Sequence, residues 1–216
     1  AAEVLTELSD GETIHSNVRL LPGERFAVFQ VWHEQDGTGD EIWVLDLDSR
    51  ERRMLIAGSN PWYSPSGHLL YGTSEGTLLA VPIDPRSAEL TGAPAPLADG
   101  LVVRPPYGTI DYAVSSNGSL LYRRGGLSAT EAEFVWMTRA GHATPVDPGW
   151  RLDPSLSGAY GWSLSPQGDR IVTTNSAGEV DLWVKQLPDG PFDRLTSDLG
   201  DERFPTWSPD GQSIAF

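Results

Sequence analysis

Cysteine is absent from this 216-residue chain, so neither a disulfide framework nor a thiolate metal site can form. Long hydrophobic runs are missing as well. The longest apolar runs have the length of a strand, which excludes a transmembrane helix and predicts no membrane insertion. The opening Ala1-Ala2-Glu3 is neither a start methionine nor the charged start of a signal peptide, so we expect that any targeting information has been lost.

Positive charge is scarce. Lys and Arg number 15 against 30 Asp and Glu, which gives a formal net charge of −15. A polyanion would be repelled by such a surface. The composition therefore predicts no nucleic-acid partner and leaves proteins, peptides and small molecules as the partner classes.

A short turn phrase recurs five times along the chain. It occurs as LLPGERFAVF, YSPSGHLLYG, VSSNGSLLYR, LSPQGDRIVT and WSPDGQSIAF, with the shared glycine at Gly23, Gly67, Gly118, Gly168 and Gly211. Proline presets φ for the first turn position and glycine accepts a positive φ, so each phrase predicts a tight hairpin turn. A period of about 40–50 residues with four short strands per unit is typical of a β-propeller. We therefore predict an all-β protein, a β-propeller of four-stranded antiparallel blades.

The fourth repeat shows how one blade is built. Apolar residues 160–164 lead into the turn, 170–174 return from it, 180–187 alternate apolar and polar residues, and 192–197 form an outer strand. The other repeats follow the same order. The predicted blades span about 13–58, 59–100, 107–148 and 158–198, with a partial fifth blade at 201–216.

The ends of the chain predict an incomplete ring. Residues 3–8 have the form of an outer strand, whereas 213–216 form only a second strand, so the fifth blade lacks a third. We expect a single truncated propeller over 1–216. Unpaired strand edges favour pairing with another chain, which predicts a possible homo-oligomer, and frayed ends are the open alternative.

The phrase WSPDGQSIAF and its variants resemble the repeat of TolB-like propellers. The segments SNPWYSPSGHLLYGTSEGTLLAVPID and TGAPAPLADG are more similar to the propeller segments of bacterial serine/threonine protein kinases. The resemblance covers essentially the whole chain and implies a bacterial protein, extracytoplasmic or periplasmic in the parent family. It implies fold more than function, because the repeated residues are turn and core residues.

Large aromatic residues favour a structural interpretation. Trp43, Trp136 and Trp183 fall on predicted third strands, and they are expected to fill the wedge between blades. Acidic residues that open third strands, namely Glu41, Glu133 and Asp181, are interpreted as hydrogen-bond acceptors rather than as catalytic acids.

The entrances to the first strands predict a ligand site around the channel mouth. Counting back from each repeat glycine places five side chains there: His15, Asn60, Asp111, Tyr160 and Arg203. Such positions are expected to carry little core area. Imidazole and oxygen donors suit a divalent ion such as Ca²⁺, Mn²⁺ or Zn²⁺. The candidate metal ligands are His15, Asn60, Asp111, Asp201 and Glu202.

Two functions stay open at this point. The first is a binding module, a fragment of a kinase-associated or TolB-like sensor domain that presents its channel face to a protein, peptide or small ligand. The second is a metal-dependent hydrolase of phosphotriesters, lactones or esters at the channel mouth.

The loop at 33–40 is acidic and rich in glycine, but it lacks EF-hand spacing and is interpreted as a solvated turn. No nucleophile elbow or kinase catalytic loop is present in the sequence, so no catalytic residue is assigned.

Overall fold

The computed structural model describes residues 4–33, 40–104, 109–114, 119–125, 130–138, 140–197 and 200–216. The chain divides into two compact units, Ala1–Ile110 and Asp111–Phe216. Every regular element within the described residues is a β-strand, and no helix there is long and apolar enough to cross a membrane.

The first unit contains a four-stranded and a five-stranded antiparallel sheet and a short hairpin. The first sheet runs in the order β1 (Glu12–Leu20), β2 (Phe26–His33), β3 (Glu41–Asp46) and β4 (Arg52–Ala57). The second sheet runs β5 (Ser59–Ser64), β6 (His68–Gly72), β7 (Leu78–Asp84) and β8 (Glu89–Leu90), and β9 (Ala95–Ala98) also pairs with β7. The hairpin pairs β10 (Val103–Arg104) with β11 (Thr109–Ile110).

The second unit contains two further four-stranded sheets and a closing hairpin. One sheet runs β12 (Tyr112–Val114), β13 (Leu120–Arg124), β14 (Glu133–Met137) and β15 (Ala143–Pro145). The next runs β16 (Ser157–Leu164), β17 (Arg170–Asn175), β18 (Asp181–Gln186) and β19 (Phe192–Arg194). The hairpin pairs β20 (Thr206–Trp207) with β21 (Ile214–Ala215). Four meandering antiparallel blades followed by a partial one confirm the predicted fold class, a β-propeller.

The repeated phrase forms the turn that its sequence predicts. In the second, fourth and fifth repeats the glycine N–H donates to the carbonyl of the serine three residues earlier, for example Gly168 N to Ser165 O at 2.9 Å. Gly168 has a φ of 76°, which a residue with a side chain rarely adopts. In these three repeats the turn therefore sets the register between the two strands that it joins.

The cores lie between successive blades. In the first unit, Val28 and Val44 of the first blade pack in one cluster with Leu69 and Val81 of the second. In the second unit, Leu121 and Phe134 cluster with Ile171 and the buried Trp150. Partly buried Trp136 and Trp162 pack at the margin of that second core, as the wedge-filling interpretation predicts.

The predicted outer strand at 3–8 is wrong for its described part. Residues 4–9 belong to no strand. The Ser9 N–H donates to Glu12 Oε2 at 2.6 Å, and Arg52 donates to Ser9 Oγ at 2.5 Å. Because side chains of the first blade satisfy these polar groups, this end of the segment is fixed without strand pairing.

Candidate functional site

A shared backbone irregularity marks the entrances to the first strands. The register shifts within β1 between Ser16 and Arg19, within β5 between Ser59 and Trp62, and within β16 between Ser157 and Trp162. Four residues at or beside the corresponding positions have positive φ: Asn17 (53°), Asn60 (58°), Gly161 (111°) and Phe204 (55°). Such bulges redirect side chains and are common beside binding sites. The sequence identified these positions without predicting their bulged geometry.

In the first unit, the side chain of Asn17 and the backbone of Asn60 meet the side chain of Gln30 at the entrances of β1 and β5. Asn17 Nδ2 donates to Gln30 Oε1 at 2.8 Å, and the Asn60 N–H donates to the same oxygen at 3.0 Å. Asn60 Nδ2 donates to the Ile110 carbonyl at 2.6 Å. Asn60 was predicted as a site residue. Asn17 and Gln30 were missed, although a polar Gln30 inside the apolar run of β2 was a signal for them.

His15 belongs to a different cluster. Its Nδ1 lies 2.9 Å from Thr6 Oγ1 and its Nε2 lies 3.2 Å from Glu12 Oε2. An Arg52 nitrogen lies 3.2 Å from the same Nε2 and also donates to Glu12 Oε1 at 2.9 Å. Burial raises the pKa of Glu12, but hydrogen bonds from Arg52, the Ser9 N–H and His15 outweigh burial and hold that pKa below its ordinary value. His15 therefore helps to hold the N-terminal segment.

Asp111 is not an exposed mouth residue, which corrects the prediction that such positions carry little core area. Its carboxylate pairs with Arg123, and the two side chains are 2% and 0% exposed. The Arg123 N–H donates to the Asp111 carbonyl at 3.3 Å, so the two residues face each other across neighbouring strands. Pairing compensates each buried charge, and Asp111 is a structural residue.

The remaining predicted site residues lie in the second unit. Arg203 donates to Asp201 Oδ2 at 2.6 Å, and this hydrogen bond is the main reason that the pKa of Asp201 is lowered. Thr196 Oγ1 donates to the nearly buried Glu202 at 3.0 Å. Tyr160 lies on β16, and its side chain is outside the described part of the structure.

The described residues do not fit a divalent ion. Among them, no group of three or more His, Asp or Glu side chains could hold one. The Arg52 guanidinium beside His15 and the Arg partners of Asp111 and Asp201 would repel a cation. Residues 34–39 of the acidic loop lie outside the described residues.

Side-chain partners hold the acidic residues that open third strands. Glu133 pairs with Arg124 and Arg151, and Asp181 pairs with Arg194. Glu41 accepts from Trp43 Nε1 at 2.8 Å and lies 3.3 Å from His33 Nε2. Each of the three carboxylates thus has a side-chain partner.

Comparison with known proteins gives the fold. No protein-family model matches the chain, and no curated protein matches it in sequence. TolB from Acinetobacter baumannii is 16% identical with a TM-score of 0.55, over 89% of this chain and 46% of that one. A TolB-like protein from Agrobacterium tumefaciens is 18% identical with a TM-score of 0.65, over 93% and 68%. Regucalcin, a calcium-binding protein from the same organism, is 16% identical with a TM-score of 0.62, over 98% and 69%.

The chain thus spans less than half the length of the Acinetobacter TolB and about two thirds of the other two proteins. At these identities the likeness is one of fold alone. The fold shared with these proteins is the β-propeller that the repeated turn phrase predicts.

Proposed function

We propose that this chain is a binding module that engages a protein or peptide at the entrances of its first strands. The observation that supports the proposal is the shared entrance geometry, a bulge or a positive φ at Asn17, Asn60, Gly161 and Phe204. Irregular backbone held by a rigid sheet is where binding residues concentrate. The finer proposal is a kinase-associated or TolB-like sensor domain with an extracytoplasmic location, and it rests on the resemblance of the repeats.

Phe204 is the strongest candidate anchor in the second unit. Its side chain is 70% exposed, and its φ of 55° is unusual for an aromatic residue. The facing backbone belongs to Gly161, where an added Cβ would lie 3.2 Å from Phe204 Cα. The backbone of Phe204 is therefore closely packed while its ring is offered to solvent. Exposed aromatic side chains on fixed backbone contribute strongly to protein interfaces.

A displayed library of random peptides, selected against the purified chain, tests this proposal. Peptides selected on the native protein should lose about tenfold or more in affinity when Phe204 is replaced by alanine. Phe216→Ala is the matched control. Phe216 is also an exposed phenylalanine, with 65% of its side chain exposed, but it follows β21 and does not lie at the entrance of a first strand. Equal affinity for the native protein and the Phe204→Ala variant, or an equal loss with Phe216→Ala, would contradict the proposal.

A second exposed surface provides a further comparison. An open groove of about 380 Å³ is lined by the β1–β2 turn together with Trp62 and Tyr63, and the Arg19 guanidinium lies 4.7 Å from the centre of the Trp62 ring. Peptides that depend on Trp62 but not on Phe204 would move the binding surface to this groove and overturn the assignment to the strand entrances.

The alternative of a metal-dependent hydrolase has less support, because three of the five predicted ligands, His15, Asp111 and Asp201, lie against arginine side chains. Elemental analysis and a chromogenic ester and triester panel, before and after chelation, test it. Turnover that follows the bound Ca²⁺, Mn²⁺ or Zn²⁺ would favour the enzyme over the binding module.

Self-association through exposed strand edges is a separate proposal, which light scattering over a range of protein concentrations tests.

A further inference from the structure

The first unit holds a buried amide group whose hydrogen-bonding capacity is only half used. Gln30 is 2% exposed, and its Oε1 accepts from both Asn17 Nδ2 and the Asn60 N–H. Its Nε2 atom donates no hydrogen bond within the described chain, yet it is not among the polar atoms sealed from solvent. A nearly buried amide donor without a protein partner is unfavourable, so water or a ligand must accept from it.

The orientation of these amides follows from their partners. A backbone N–H can only donate, so the Gln30 atom that accepts from Asn60 must be the oxygen. Asn17 must then donate to that oxygen through Nδ2, which leaves Asn17 Oδ1 as an acceptor. Asn17 Oδ1 accepts no hydrogen bond within the described chain. The cluster therefore presents an NH₂ donor and a carbonyl acceptor on two side chains joined by one 2.8 Å hydrogen bond.

We propose that Asn17 and Gln30 form a recognition site for the backbone of an extended peptide. A residue in extended conformation directs its own N–H and C=O to the same side, so its carbonyl can accept from Gln30 Nε2 while its N–H donates to Asn17 Oδ1. The site carries no charge of its own, so it selects a neutral hydrogen-bonding group. Asn17 and Asn60 have left-handed φ values that asparagine tolerates better than most residues, and this backbone holds both amides against Gln30.

This inference rests on the proposed function and assigns the peptide backbone, rather than a side chain, as the group read in the first unit. Sequence-independent contact with main chain suits a module that accepts more than one peptide. Selectivity would then come from contacts with the side chains of the bound peptide.

Nuclear magnetic resonance on the ¹⁵N-labelled native chain tests the site directly. The probe is a blocked glycine with two secondary amides, N-acetylglycine N-methylamide. We expect a saturable shift of the Gln30 side-chain NH₂ signals with a Kd of about 1–10 mM, as is usual for so small a ligand. Methyl glucoside, which offers only hydroxyl and ether oxygens, should not shift them. No saturable shift with the blocked glycine, or an equal shift with the glucoside, overturns the proposal.

Two variants sharpen the test. Gln30→Glu keeps an acceptor for Asn17 and Asn60 but removes the NH₂ donor, and Asn17→Ala removes the acceptor. Each substitution should weaken binding of the probe by about tenfold. Gln186→Glu is the matched control, because Gln186 is exposed at the end of β18. Unchanged affinity in a folded Gln30→Glu protein overturns the proposal, and the titration of the native chain decides it if that variant does not fold.

The same variants separate this inference from the proposed function. Library peptides that lose affinity with Phe204→Ala, together with an unchanged probe affinity in the folded Gln30→Glu protein, leave the binding module standing and overturn the amide site. Weaker probe binding in the Gln30→Glu protein, together with library peptides that do not need Phe204, supports the amide site and overturns the Phe204 anchor.

Discussion

Arg123 and Asp111 form an ion pair in which the two side chains are 0% and 2% exposed. Removal of one partner leaves a buried charge without compensation. We expect Asp111→Ala to lower the free energy of unfolding by about 3–5 kcal/mol. Denaturant unfolding measures this change. Asp201→Ala is the control, since Asp201 and Arg203 are 45% and 42% exposed, and its loss should be much smaller. Similar losses for the two variants would contradict the structural role of Asp111.

Asp40 makes the stability of the chain depend on pH. Burial raises the pKa of its carboxyl from 3.8 to about 7, and the nearby His33 opposes the shift. The folded state therefore binds the proton more tightly than the unfolded state. This stabilising effect is complete below pH 3.8 and is lost as the pH rises through about 7.

Asp40→Asn, which stays neutral, isolates this effect. The Tm of the variant relative to the native chain should rise between pH 3 and 8, a window of about five units that contains both pKa values. The exposed Asp99→Asn should show no such trend. A pH-independent difference for Asp40→Asn would show that the carboxyl is not desolvated.

Glu12 holds the N-terminal segment to the first blade. Its side chain is 3% exposed and accepts hydrogen bonds from Arg52 and the Ser9 N–H. We expect Glu12→Ala to accelerate hydrogen exchange of the amide of Ser9 by about tenfold or more, because the closed state loses its main acceptor. Glu7→Ala, at an exposed position in the same segment, is the control.

The lowered pKa of Glu12 gives this contact a pH dependence with a defined sign. The stability that Glu12 contributes through this contact is present above pH 4.5 and is lost as the pH falls through the lowered pKa. Protection of the Ser9 amide that survived unchanged in the Glu12→Ala variant would show that the segment is held by other contacts.

Trp150 should matter more to stability than Trp183. Trp150 is 8% exposed and stacks on Phe134 with a centroid distance of 5.3 Å. Trp183 is only partly buried and contacts Phe192 at 5.1 Å. We expect Trp150→Ala to reduce the free energy of unfolding by about 3–5 kcal/mol and Trp183→Ala by about 1–3 kcal/mol. Thermal and denaturant unfolding of both variants measure the order, and the reverse order would contradict the packing described here.

Local features of the fold were predictable because their causes lie within a few residues. The Ser-Pro-x-Gly turn needs only a carbonyl at Ser165, a preset φ at Pro166 and a positive φ at Gly168. The alternation in 180–187 likewise predicts β18 without knowledge of its neighbours. Repetition of these signals along the chain was enough to predict propeller blades.

Positions of the candidate site were predictable, but their chemistry was not. Counting back from the turn glycine located Asn60 and Asp111 at strand entrances, and the same rule assigned them equivalent roles. The structure gives Asp111 a buried Arg123 partner and places the Asn60 N–H on Gln30. No rule based on spacing distinguishes these environments, because each depends on which side chain the facing strand supplies.

The sequence by itself determined the all-β class, the blade repeat and the hairpin turns, since these depend on backbone preferences and periodicity within short segments. Only the tertiary structure decided which polar groups are already bonded. Arg52 meets Glu12 across 40 positions of sequence, and Gln30 meets Asn60 across 30. Such pairs form when separate strands and blades pack together, so burial and partner identity are properties of the folded chain. That packing pairs Asp111 with Arg123 and leaves the donor of Gln30 for a ligand.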